Sequence, residues 1–132
     1  IAKSYGLGRE DLAMILAMAY VESGFNNDAA AGTTSASGLG QFVDGTAAAY
    51  GITNNEQRFD SVSGGEALIK YFIYNKNLAK NSGHEGRNLY LMTYAYHHDG
   101  PSLAYGGEEL SRTHVMPKYD LFLENICTDI MP

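Results

Sequence analysis

The chain is poor in the features that mark secreted scaffolds, membrane spans and nucleic-acid binders. Its single cysteine, Cys127, allows no internal disulfide and reads as a small apolar residue on the last helix rather than a nucleophile. No run approaches the roughly 18 consecutive apolar residues of a membrane span. Nine Lys and Arg against 15 Asp and Glu give a formal charge of −6 with no basic stripe, which argues against a phosphate-backbone partner. Neither H-E-x-x-H nor paired-cysteine spacing occurs, so no metal and no other cofactor is expected. Repeats and low-complexity linkers are also lacking, and the first residues have none of the charged-then-apolar character of a secretory signal.

What is present suits one small packed domain. The 132 residues are 45% hydrophobic, ample for a single core. The chain begins with Ile1 rather than methionine, and the expectation is one domain over residues 1–132, cut from a longer protein.

Helical periodicity dominates. A first helix is predicted from about Glu10 to Ser23, with Glu10 and Asp11 in its dipole-positive first turn. A second runs from Ser61 or Ser63 to about Lys80 on a stripe of Ala67, Leu68, Tyr71, Phe72 and Tyr74. A third covers about Arg87 to His97, stopped by Gly100 and Pro101. A last helical region starts near Gly107, breaks at Pro117 and resumes through Ile126. Between the first two helices, residues 24–45 contain five glycines (24, 32, 38, 40 and 45) and few branched apolars. This segment is a long functional loop or a short irregular hairpin, followed by a short helix from Asp44 to Tyr50 ended by Gly51.

Glu22 is the residue of greatest interest. In the run Leu12, Ile15, Leu16, Ala19, Glu22 it shares a helical face with apolar residues, so it is expected to point inward. Desolvation of a carboxyl there favours the protonated form, which is what a general acid requires. On spacing alone, the same glutamate reads better as a helix-terminal residue that caps its helix or pairs with Arg58 or Arg87.

The flanking segments narrow the choice. Glu22-Ser23-Gly24-Phe25-Asn26, Gly38-Leu39-Gly40-Gln41-Phe42 and Thr46-Ala47 together resemble, with gapless spacing, the catalytic segment of the soluble lytic transglycosylases. Those enzymes have a lysozyme-like fold and cut peptidoglycan glycan strands. Tyr96-His97-His98-Asp99-Gly100-Pro101 approximates the family's A-Y-N-A-G element, with either His97 or Tyr96 in the tyrosine's place. A histidine ahead of Gly-Pro is similar to the domain's versions in phage tail proteins, which points to a phage or secreted-toxin origin. Where the family has methionine, this chain has Gly40.

The resemblance implies a mostly α, lysozyme-like fold. It makes Glu22 the catalytic acid and then base, and Gln41 a contact to the saccharide. Either Tyr96 or His97 would hydrogen-bond Glu22, while Ser37, Phe42 and Tyr94 are further candidates for lining the sugar site. The implied reaction is cleavage of the MurNAc–GlcNAc β-1,4 bond with 1,6-anhydro ends. A hydrolytic muramidase on the same fold and a non-catalytic wall-binding domain are the alternatives. The implied partner is peptidoglycan, met in the periplasm or on the cell wall after secretion, delivery or carriage on a virion. Wall polymers are themselves anionic, so this acidic domain must rely on local sugar contacts or on a partner domain that delivers it.

Overall fold

The computed structural model describes residues 5–23 and 61–126, and they are mostly helical, with no strand among them. The order is α1 (Arg9–Ser23), α2 (Ser61–Asn81), α3 (Gly86–Asp99), α4 (Gly107–Leu110), a π-helical turn (Ser111–Val115) and α5 (Met116–Asn125). The expected loop or hairpin at 24–45, the short helix to Tyr50 and Cys127 lie outside the described residues. The chain divides into two compact parts, Ile1–Met18 with Phe72–Pro132, and Ala19–Tyr71.

α1 starts as its sequence suggests. The Gly8 carbonyl accepts the Leu12 amide at 3.0 Å, and the Asp11 carboxylate reaches back to the Gly8 amide at 3.4 Å, the acidic half of a capping box. Its buried surface differs from the expectation. Ala13, Met14, Ala17 and Met18 are fully enclosed, while Leu12 and Leu16 are only half-buried. With an apolar residue at almost every position the helix can be covered nearly all round, and three- and four-residue spacings then fit several faces equally well.

α2 buries Gly64, Leu68, Phe72, Asn75 and Ala79, a stripe at spacings of four, four, three and four. Tyr74, expected in the core, is half exposed, and Asn75 takes the inward place instead. The helix ends in a Schellman motif. The His84 amide donates to the Ala79 carbonyl and the Gly83 amide to that of Lys80, with Gly83 at φ +95°.

Asp11 ties three helices together. It accepts Lys76 Nζ of α2 at 2.6 Å and the Tyr90 hydroxyl of α3 at 2.8 Å. Lys76 also lies 5.5 Å from the centre of the Tyr90 ring, and that ring stacks on Tyr119 of α5 at 5.3 Å. Burial first, then the Asp11 hydrogen bond, pushes the Tyr90 phenol far above its ordinary range. Arg9 adds a further link by donating to the Leu123 carbonyl in the last turn of α5, where a cation also complements the helix dipole.

Pro117 does not break the last helical region. It sits in the first turn of α5, directly after the π turn, in which the Met116 amide bonds the Ser111 carbonyl five residues back. A proline in a first turn is tolerated because its missing N–H is not needed there. Ser111 is fully buried and donates to the Leu91 carbonyl at 2.8 Å, fixing this turn against α3.

Candidate functional site

Glu22 occupies the last turn of α1. It is half-buried rather than fully enclosed, as are Val21 and Ser23, whereas Ala19 one turn earlier is 3% exposed. The deep placement expected from spacing therefore stops at Ala19. Ser23 donates its hydroxyl to the Ala19 carbonyl at 2.9 Å, closing that turn. Arg87, one of the alternative partners for Glu22, is instead paired with Asp120 through two contacts of 2.7 and 3.3 Å. Arg58 lies outside the described residues.

The other described candidates cluster at the C-terminal end of α3. Tyr94 is 2% exposed. Its ring lies 6.0 Å from those of both His97 and His98, nearly parallel to the first at 18° and tilted by 38° to the second. The i+3 and i+4 spacings from residue 94 produce this arrangement. As a candidate sugar contact Tyr94 has almost no free surface; what it does in the structure is support the two imidazoles. Tyr96 is also buried, and its hydroxyl lies 3.3 Å from Ser82 Oγ just beyond α2. His97 is half-buried. Of the two residues proposed to brace Glu22, Tyr96 thus already has a hydroxyl partner.

His98 has a role that spacing did not suggest. Its Nδ1 is 2.6 Å from Asp99 Oδ1, and the Asp99 side chain is 1% exposed against 30% for His98. Burial alone would raise the Asp99 pKa. Hydrogen bonds from His98 and from the Gly107 and Tyr105 amides outweigh it and hold the carboxyl below the usual 3.8. An ionised Asp99 can only accept, so the proton between the pair sits on His98 Nδ1, and Nε2 is the other ring nitrogen left to interact.

In the sequence Asp99 stands out only as a member of the Tyr96–Pro101 element. Here it is the anchor of the 100–106 loop. Both of its oxygens accept the Gly107 amide at 3.0 Å. The available signal was Asp-Gly-Pro followed by Gly106-Gly107, a helix stop and a close-approach glycine around a short loop. Among the described residues, no group of three His, Cys, Asp or Glu side chains could hold a metal ion. No described helix is long and apolar enough to cross a membrane. Gln41, Ser37 and Phe42 lie outside the described residues.

The model of the transglycosylase SLT domain matches residues 4–103, a span that takes in Glu22, Gln41 and the Tyr96–Pro101 segment. Neither curated proteins nor solved structures give a match.

Proposed function

Since the chain belongs to the transglycosylase SLT domain family, whose activity is of the peptidoglycan lytic transglycosylase type, we propose that it cuts the MurNAc–GlcNAc β-1,4 bond and leaves 1,6-anhydro ends. The single observation that carries this reading is that the family match runs through Glu22 and both flanking motifs.

In the proposed reaction the Glu22 carboxyl gives its proton to the glycosidic oxygen as the C1–O bond breaks. The GlcNAc-side chain leaves as an alcohol, and the acetamido oxygen of MurNAc bonds to C1 in its place. A second carboxylate, which most glycosidases use at this point, is then not required. The Glu22 carboxylate next takes the proton of the C6 hydroxyl. O6 attacks C1, the acetamido oxygen departs, and Glu22 is again protonated. Gln41, Ser37 and Phe42 are the proposed saccharide contacts, and His97 the proposed brace for Glu22, because the Tyr96 hydroxyl has Ser82 beside it. The setting is the periplasm or cell wall, reached as a domain of a longer secreted, delivered or virion-borne protein.

Mass spectrometry of muropeptides released from purified sacculi tests this. Anhydro products from the wild-type protein, with release by Glu22→Gln reduced about 10²–10⁴-fold, are the expected outcome. Hydrated products would replace the proposal with a muramidase, and no products with a wall-binding domain.

A further inference from the structure

The 100–106 loop has an unusual construction. Its two ends are fastened to one buried carboxylate: Asp99 precedes the loop, and the Gly107 amide returns to both Asp99 oxygens at its far end. Within it, Leu103 adopts φ +54°, the only positive φ at a non-glycine among the described residues. A branched side chain holds that conformation only where its surroundings impose it. The close of the loop also admits nothing larger than glycine, since a Cβ at Gly107 would stand 2.7 Å from Asp99 Oδ1 and 2.9 Å from the Ala95 carbonyl.

This fastened loop holds its largest side chain out of the protein. Tyr105 is 73% exposed, the barest of the described large hydrophobic residues, although it stands only two residues before the anchored Gly107. A tyrosine offers broad amphipathic contact at a cost of two side-chain torsions, and a pinned backbone lowers the ordering cost further. Asp99 also holds His98, which is 30% exposed, so an aromatic face and a polar imidazole both radiate from one fixed carboxylate. An apolar face with polar groups at its edge suits the ring of a sugar. Charge favours the same class of ligand, because a net −6 chain binds an anionic polymer through neutral ring contacts rather than ion pairs.

We propose that Tyr105 is a saccharide-stacking residue, an additional binding position for one ring of the glycan strand, displayed by the Asp99-anchored loop. This rests on the peptidoglycan reading above, and two readouts keep the two claims separate. On purified sacculi, Tyr105→Ala raises KM about tenfold, the loss of one well-placed aromatic contact, with kcat within about twofold. Tyr105→Phe restores KM to within about twofold, because the ring is kept. Neither changes the melting temperature appreciably, since the side chain lies in solvent. The chain has no tryptophan, so Tyr105→Trp provides a unique fluorophore. Its emission shifts saturably with a β-1,4-linked N-acetylglucosamine hexamer and stays unchanged with a maltose-type hexamer. Wild-type KM in Tyr105→Ala overturns the inference and leaves the enzyme reading intact. If wild-type protein releases no muropeptides, the enzyme reading fails and the fluorescence titration decides alone: a saturable shift with the N-acetylglucosamine hexamer supports the stacking position. No shift, an equal response to both hexamers, or a response to protein concentration only, overturns it.

Discussion

Asp99 grips Gly107 with both carboxylate oxygens at 3.0 Å, across eight residues of chain, and the absence of a side chain at 107 is what lets it do so. The buried carboxylate on α3 thereby satisfies the first amide of α4, whose own flanking residues supply no side-chain cap.

Gly107→Ala is expected to destabilise the protein by about 1–3 kcal/mol, the usual cost of forcing extra atoms into a packed site. The added methyl meets a backbone carbonyl as well as the carboxylate, so moving one side chain cannot relieve it. Denaturant unfolding measures the loss. An unchanged midpoint would mean that the 99–107 junction is looser than the distances state.

The same carboxylate makes a pH prediction. Asp99 has a folded-state pKa below its ordinary 3.8, so its stabilisation is fully present above that value and is lost as pH falls through the folded pKa. Asp99→Asn should destabilise the protein at pH 7, where the buried charge and its hydrogen bonds from His98 and Gly107 are replaced by a neutral amide. As pH falls from the ordinary 3.8 through the lower folded-state pKa, the gap between variant and wild type should narrow. Thermal melts from pH 7 down to pH 2 follow it, and a gap independent of pH would remove the carboxylate from the explanation.

The Asp11 cluster should show strong coupling. Asp11→Ala leaves the Lys76 ammonium and the Tyr90 hydroxyl without their shared acceptor and is expected to cost about 3–5 kcal/mol, as for one partner removed from a largely buried ion pair. Tyr90→Phe removes one hydrogen bond and keeps the ring stack, for about 1 kcal/mol. In the double variant the second change should add little, because both act on one network. Additive costs in a double-mutant cycle would contradict a shared acceptor.

At the end of α3, His97→Ala is expected to reduce turnover more than Tyr96→Phe. The Tyr96 hydroxyl is 3.3 Å from Ser82 Oγ, so its removal should register mainly as lost stability, about 0.5–1.5 kcal/mol. Steady-state kinetics beside thermal melts separate the two effects. The reverse ranking would make Tyr96 the brace for Glu22.

The local signals in the sequence were enough for α1, α2 and α3 and for the family. The limits of α1, α2 and α3 follow periodicity, the acidic first turn of α1 and the Gly100-Pro101 stop, all of which act over a few residues. The Glu22 and Gln41 motifs were legible for the same reason, as short stretches of fixed spacing within the family match. Burial was not legible to that degree. Apolar residues run almost unbroken through α1 and could not specify its deepest face, and Asn75 displaced Tyr74 from the α2 core. The tertiary structure alone decided the partners of Asp11, which lie 65 and 79 residues away, and the part played by Asp99 in holding its loop. Periodicity records which way a side chain leaves its own helix. Which distant group satisfies a buried carboxylate depends on where the packed helices bring their donors, and that is fixed only when the core closes.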